Sequence, residues 1–424
     1  MCDWKSLPVE IWYQILNAVI DPPYVLDTVI DPRGCYWRRQ DLYHDKEAYA
    51  KAERERRALR LVCRSWQAFA DGQKYRWIIY NSHAEPKSAR QKLAVEALEA
   101  IRAMDIHSTT DMESYYRTIG KPRRIQFPVA SVAELELLQN LITRLAKKVT
   151  TLCLECPDNY RDEVFNLLIT HQQVLPSLRC LMLTQPTCHA TPLRAISAAF
   201  PRLTGLTMSR CDLVSQPADD SISLPDLESL YLDIPTLVGL RPEGWHMPGL
   251  LRLIIPAYDM GNIEDVGLNI VRLHGSRLAF LDLTRRATGR LPIEFWTWCP
   301  VLTELAACFS RLDLGSMVPA THPLQYIVHF PDAHFLLNEA KEDGILWHNI
   351  QHLPPRFENF IVSYTGGWSG FLERLNIGYD RNRVEEYFRR LSFVCAEKFI
   401  RVEDENKLTL DEFLQRNFES VNLN

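Results

Sequence analysis

Residues Pro225 to Leu232 read PDLESLYL: a proline, then Leu227, Leu230 and Leu232 at positions one, four and six of an apolar-x-x-apolar-x-apolar run. Alternation through Leu230, Tyr231 and Leu232 fits a strand that sends both leucines to one face. The run recurs as VTTLCL from Val149, LRCLML from Leu178, LTGLTM from Leu203, LLRLII from Leu250, LAFLDL from Leu278, LTELAA from Leu302, LQYIVH from Leu324 and FENFIV from Phe357. Successive starts are 29, 25, 24, 23, 28, 24, 22 and 33 residues apart, which makes the pattern a tandem repeat rather than a set of unrelated strands.

Several units carry a proline two residues ahead of the first apolar position, as at Pro176, Pro201, Pro225, Pro248 and Pro300. Such a residue ends a preceding helix and admits extended chain. Between strands, Arg161 to Gln173 and Pro192 to Phe200 have apolar residues at helical spacing and are expected to cover one side of the strands. The period and pattern resemble those of leucine-rich-repeat proteins over roughly half the chain. The usual Asn or Cys after the strand appears only as Cys211; elsewhere that place holds Pro157, Pro186, Pro235, Tyr258, Arg286 or Ser310. The expected fold class is therefore α/β, an irregular strand and helix solenoid with uneven helices.

If the leucines point inward, the residues between them form a concave surface: Met182, Thr184, Thr207, Ser209, Tyr231, Asp233, Arg252, Ile254, Asp282 and Thr284. A curved array mixing apolar anchors with isolated charges suits recognition of another protein. Met182, Thr207, Tyr231, Asp233, Arg252, Ile254 and Asp282 are the candidate substrate-binding residues.

At the other end of the chain, Pro8 starts an amphipathic helix with Glu10 in its first turn. Leu7, Ile11, Ile15 and Val19 form one apolar row and Trp12, Leu16 and Ile20 the next, so one row is expected to pack internally and the other to meet a partner. In LRLVCRSWQAF (Leu59 to Phe69), Leu59, Val62, Cys63, Trp66, Phe69 and Ala70 fall on one helical face. Cys63 beside Arg64 could be an activated thiolate, but its place in that stripe reads as packing, which desolvates a thiol and makes it inert.

Together, Leu7, Pro8, Glu10, Ile11, Ile15 and Leu16, then Leu61, Val62, Cys63, Arg64, Trp66 and the closing aromatic Trp77, resemble the two ends of an F-box domain, with an insertion at residues 21–58 like those of fungal F-box proteins. That resemblance implies docking to a Skp-type adaptor of a cullin-based ubiquitin ligase, with Leu7, Pro8, Ile11, Ile15, Leu16, Leu61, Val62 and Trp66 as the adaptor-binding residues. The chain would then be the substrate-recognition subunit, holding an unidentified protein substrate on its repeats and catalysing nothing. A scaffold whose helices pack only on its own repeats is the alternative.

The organisation expected is an F-box-like helical module at 1–82, a helical linker at 83–145, the repeats at 146–370 and a cap at 371–424 that includes the helix Val384 to Val394. With 46% apolar and 10% aromatic residues the 424-residue chain can bury a large core, and a net charge of −5 gives no general attraction to nucleic acid or anionic lipid. MCDWKSLPVEIW lacks the features of a secretory signal and no stretch of about 18 apolar residues could span a bilayer, so a cytoplasmic or nuclear protein without membrane or nucleic-acid partners is expected. Eleven scattered cysteines fit a reducing compartment.

The pair Cys153 and Cys156, with Cys180, Cys188 and His189, lacks the paired spacing of structural zinc, so neither metal nor cofactor is expected. EDENKLTLDEF (Glu403 to Phe413) lacks the glycine of a calcium loop and reads as a solvated turn before a helix near Asp411. The Lys121 to Arg124 cluster reads as a solvated turn and IHSTTDMES as a hinge. No P-loop, GxGxxG or GxSxG occurs.

Overall fold

The structure is a computed structural model that describes residues 11–12, 14–16, 54–72, 77–79, 95–96, 124–145, 149–156, 158–184, 188–209, 213–214, 221–233, 242–255, 266–283, 289–309, 311–314, 318–329, 344–353, 357, 359–362, 381–404, 408–409, 411–413 and 415. Leu7, Pro8, most of the insertion and the IHSTTDMES hinge lie outside them. The chain forms two compact units, Met1–Cys211 with Ile222–Ser229, and Asp212–Ser221 with Leu230–Asn424.

Nine expected strands are present, and each begins two residues after the first apolar position of its repeat. Three other strands flank them, giving β1 (Trp77–Ile79), β2 (Arg124–Pro128), β3 (Thr151–Glu155), β4 (Cys180–Thr184), β5 (Gly205–Ser209), β6 (Ser229–Asp233), β7 (Arg252–Ile254), β8 (Phe280–Asp282), β9 (Glu304–Ala307), β10 (Tyr326–His329), β11 (Asn359–Val362) and β12 (Arg401–Asp404). In the first unit β1 to β5 are parallel neighbours in chain order, with Ile78 opposite Ile125, Ile125 opposite Leu152, Leu152 opposite Leu181 and Leu181 opposite Leu206. In the second unit β7 to β12 continue the same arrangement, with Leu253 opposite Leu281, Leu281 opposite Leu305, Leu305 opposite Ile327, Ile327 opposite Phe360 and Phe360 opposite Val402. The result is a mixed α/β fold built on parallel strands.

Parallel neighbours need a crossover, and helices supply it. Ahead of β1 lies α1 (Arg64–Gly72); the crossover helices are α2 (Val132–Leu145), α3 (Arg161–Thr170), α4 (Ala190–Ala199), α5 (Val266–His274), α6 (Phe295–Trp298), α7 (Ile345–Gln351) and α8 (Arg381–Ala396). The start of α2 carries a variant of the capping box: the Glu134 N–H donates to Ser131 Oγ, and Glu134 Oε2 accepts the N–H of Ala130, one residue ahead of the cap, at 2.7 Å.

The strands β1, β2 and β12 correct the sequence reading. The stretch read as a helical linker contains β2, so Arg124 is a strand residue and not part of a solvated turn. Trp77 belongs to β1 rather than closing a helical module. Glu403 and Asp404 extend the sheet in β12. Beyond them the helix near Asp411 is present, opened by a second capping box in which Glu412 N–H donates to Thr409 Oγ1 and Thr409 N–H to Glu412 Oε2.

The repeated prolines do more than end helices. In each of their units the first motif residue donates its N–H to the carbonyl three residues back: Leu178 to Leu175, Leu203 to Phe200, Leu227 to Leu224, Leu250 to Met247 and Leu302 to Cys299, at 3.1 to 3.2 Å. Proline is thus the second residue of a β-turn, where its fixed φ is already correct. In the unit of Leu324, His322 stands in that place and its Nδ1 accepts the Leu324 N–H at 3.3 Å. Its Nε2 therefore carries the proton and donates to the Cys299 carbonyl at 2.9 Å.

Positions one, four and six form the core: Leu203, Leu206 and Met208, or Leu278, Leu281 and Leu283, are fully buried. In the β10 unit position six is His329, fully buried, with Nδ1 accepting the Phe309 N–H at 3.2 Å. Asn349 on α7 holds the neighbouring loop: its Oδ1 accepts the Leu314 N–H, and its Nδ2 donates to the carbonyls of Phe309 and Leu312. Gly275, just after α5, is packed so closely that a Cβ would meet the Trp298 carbonyl oxygen at 2.7 Å and Cys299 Sγ at 2.9 Å.

Two stability predictions follow from these contacts. Gly275→Ala must push backbone against backbone and is expected to cost about 1–3 kcal/mol in chemical denaturation, while exposed Ser276→Ala stays within about 0.5 kcal/mol. Burial pulls the His329 pKa from 6.5 to about 3, opposed by a backbone hydrogen bond with Ala307. Since the unfolded chain takes the proton first, this contribution to stability is full above pH 6.5 and is lost as pH falls toward 3, by up to about 1.4 kcal/mol per pH unit. His329→Leu is expected to flatten the fall in stability between pH 6 and pH 4 and to lower stability at pH 7 by about 1–3 kcal/mol, because the Phe309 N–H loses its acceptor. Parallel pH profiles for the two proteins would count against it.

Candidate functional site

Two sets of residues were expected to bind partners. In the N-terminal set, residues 11–12 and 14–16 are helical, as are residues 54–60 and α1. Leu16, Leu59 and Ala70 form a small core with Trp66 and Phe69 packed on it, and the rings of Trp12 and Trp66 lie 5.7 Å apart. The buried Arg56 donates to the Ala70 carbonyl across the two later helical segments, and Arg60 pairs with Asp71 at 2.8 Å on the surface.

The continuous helical stripe expected from Leu59 to Ala70 is broken. The helix of residues 54–60 ends in a turn, with Leu61 N–H bonded to the Ala58 carbonyl and Val62 N–H to that of Leu59; the next helix opens with the Cys63 carbonyl accepting from Gln67. The break takes Val62 and Cys63 off the packed face and leaves Leu61 beside them in solvent. Cys63 is exposed, not a desolvated packing residue. Leu61 is 88% exposed and Val62 58%, and Ile11 and Ile15 are each 38% exposed, while Leu16 is buried and Trp66 half-buried. Of the two rows on the first helix, that of Trp12 and Leu16 packs inside and that of Ile11 and Ile15 faces out.

The second set lies on the strands, on the side opposite the motif leucines. There the exposure expected from alternation is not met. Thr207, Tyr231, Ile254 and Asp282 are buried, Met182, Thr184 and Arg252 are half-buried, and the side chains of Asp233, Ser209 and Thr284 fall outside the described residues. Alternation assigns a residue to a face; strands about 4.8 Å apart then let tall side chains shade their shorter neighbours. The face also carries acids: Asp282 and Glu304 are buried, and Glu403 is paired with Arg401 at 3.2 Å.

In the first unit the middle row of this face runs Gln126, Cys153, Met182, Thr207 on four adjacent strands. Cys153 Sγ lies 3.4 Å from Met182 Sδ. The sequence carried the signal for this contact: both residues are fifth in their repeat, so their 29-residue separation equals the spacing between the repeats. Cys156 is buried, and its N–H donates to the Thr184 carbonyl. Among the described residues no three of His, Cys, Asp and Glu gather as metal ligands, and no helix is long and apolar enough to cross a membrane.

No protein-family model matches the sequence, and no curated protein does. Among solved structures, the chain is similar to one in the Toll–Spatzle complex of Drosophila, with 16% identity, 53% of this chain and 30% of that one covered, and a TM-score of 0.36. It is similar to one in the TLR13–ssRNA13 complex at 12% identity, covering 58% and 30% with a TM-score of 0.31. It is also similar to an internalin, inlF, from Listeria monocytogenes at 15% identity, covering 55% and 87% with a TM-score of 0.25. At such scores these likenesses bear on neither fold nor ligand; the repeat architecture rests on the strand register.

Proposed function

We propose that the chain is the substrate-recognition subunit of a Skp, cullin and F-box type ubiquitin ligase. The N-terminal helices dock the adaptor through Leu7, Pro8, Ile11, Ile15, Leu61, Val62 and Trp66, and the strand face holds a protein substrate, raising the effective concentration of its lysines at the ligase. Such a subunit binds and positions without catalysing, and it works in the reducing cytoplasm or nucleus. The observation that carries the reading is the apolar surface of the N-terminal helices. With a small core of their own already formed, they leave Ile11, Ile15, Leu61 and Val62 in water. The rival scaffold, in which these helices pack only on the chain itself, would bury that row.

Co-expression with a Skp-type adaptor tests the proposal. Ile11→Asp with Ile15→Asp is expected to weaken the complex by about 3 kcal/mol or more, roughly a hundredfold, because docking would lose the remaining apolar burial of both isoleucines and would desolvate two unpaired carboxylates. Leu61→Asp, on an exposed turn, is expected to alter folding stability by less than about 0.5 kcal/mol while also weakening co-purification. Adaptor binding at wild-type strength by folded variants would reject the assignment.

A further inference from the structure

The strand face carries a sulfur pair in which Met182 is one of the candidate substrate-binding residues, whereas Cys153 has no part in the proposed function. Cys153 and Met182 are register partners on β3 and β4, with their sulfurs 3.4 Å apart. Cys180 precedes Met182 by two residues on the same strand and so projects to the same face. Both cysteines are buried, and Met182 is half-buried, which leaves one open approach. On the other side of Cys153, its register partner Gln126 is nine-tenths buried, and its Oε1 has no hydrogen-bond partner among the described residues. A buried acceptor left unused on the strand next to Cys153 is unexpected in a finished core, where such groups are satisfied.

We propose that Cys153, Met182 and Cys180 bind one copper(I) ion, with Gln126 Oε1 available for a weaker fourth contact. Soft thiolate and thioether donors select copper(I), whereas structural zinc takes four thiolate, imidazole or carboxylate donors, and only two such groups are present here. The half-exposed methionine is an entry path, and its unbranched side chain can open the sulfur pair to admit the ion. On binding, each thiol releases its proton to solvent as its sulfur bonds to the metal. The copper stays in the +1 state and no electron moves, so affinity rises with pH.

The test is titration of the reduced full-length chain with copper(I) under anaerobic conditions, in competition with a chromophoric copper(I) chelator. One equivalent per chain is expected to be retained. Cys153→Ser and the near-isosteric Met182→Leu are each expected to weaken retention at least tenfold, and Cys63→Ser, which removes an exposed thiol far along the sequence, leaves it unchanged. Circular dichroism confirms folding; if Cys153→Ser unfolds, Met182→Leu decides. X-ray absorption at the copper edge is expected to show a sulfur-dominated shell. Failure to retain copper, retention unchanged in Met182→Leu, loss of copper in Cys63→Ser, or a nitrogen and oxygen shell would each overturn the proposal. None of these outcomes depends on adaptor binding, so the two readings stand or fall separately.

Discussion

The register of parallel neighbours constrains everything else in this fold. Within each unit, a leucine at position four of one repeat lies opposite position four of the next, as Leu152, Leu181 and Leu206 do in the first unit and Leu253, Leu281 and Leu305 do in the second. A slip of one residue would turn every leucine to the opposite face. The β-turn ahead of the strand guards against that slip, because its hydrogen bond ends on the first motif residue and so fixes where extended chain begins. Proline at the second turn position preselects the conformation, which explains its recurrence at a constant offset.

Without the proline, the Leu278 unit keeps the backbone turn bond to Gly275, whereas in the Leu324 unit a side chain takes over. His322 supplies an imidazole nitrogen to the Leu324 N–H in place of the turn carbonyl, and burial lowers its pKa despite the bond to the Cys299 backbone. That keeps Nδ1 an acceptor, since a protonated ring would offer only donors. Asn349 does comparable work for the Phe309 to Leu314 loop, using its oxygen and nitrogen together. Leu312 and Asp313 also pair with Gly289 and Arg290, and Asn349 serves backbone groups that this short ladder leaves over. His322 and Asn349 occur where the spacing of the motif is least regular, toward the end of the repeat array.

What the sequence made legible follows from which forces are local. Nine strands were placed to a constant two-residue offset because strand phase is written in the apolar residues themselves. The strands β1, β2 and β12 escaped because each spoils the motif at a key place: Tyr75 and Tyr80 frame the first, Pro122 leads the second, and Asp404 closes the third. The exposure of the face opposite the leucines was not legible at all, because the burial of Thr207 or Asp282 is set by neighbours from other repeats. The helix break at Leu61 to Cys63 escaped for a related reason. Helical periodicity continues through it, whereas the turn depends on tertiary contacts such as the Arg56 bond to the Ala70 carbonyl.

That break separates two roles that the periodic stripe had merged. Leu59 and Ala70 remain in the core, while Leu61 and Val62, which a continuous helix would have set partly along the same seam, stand on a turn in solvent. Apolar residues in water at a turn contribute little to folding, so selection for stability does not explain a Leu-Val pair there; a polar pair would serve the fold as well. Ile11 and Ile15 stand in the same relation to Leu16: adjacent in the helix, opposite in burial. The core residues hold the helices together without these side chains, which leaves the exposed ones free to answer to a partner instead of to the fold.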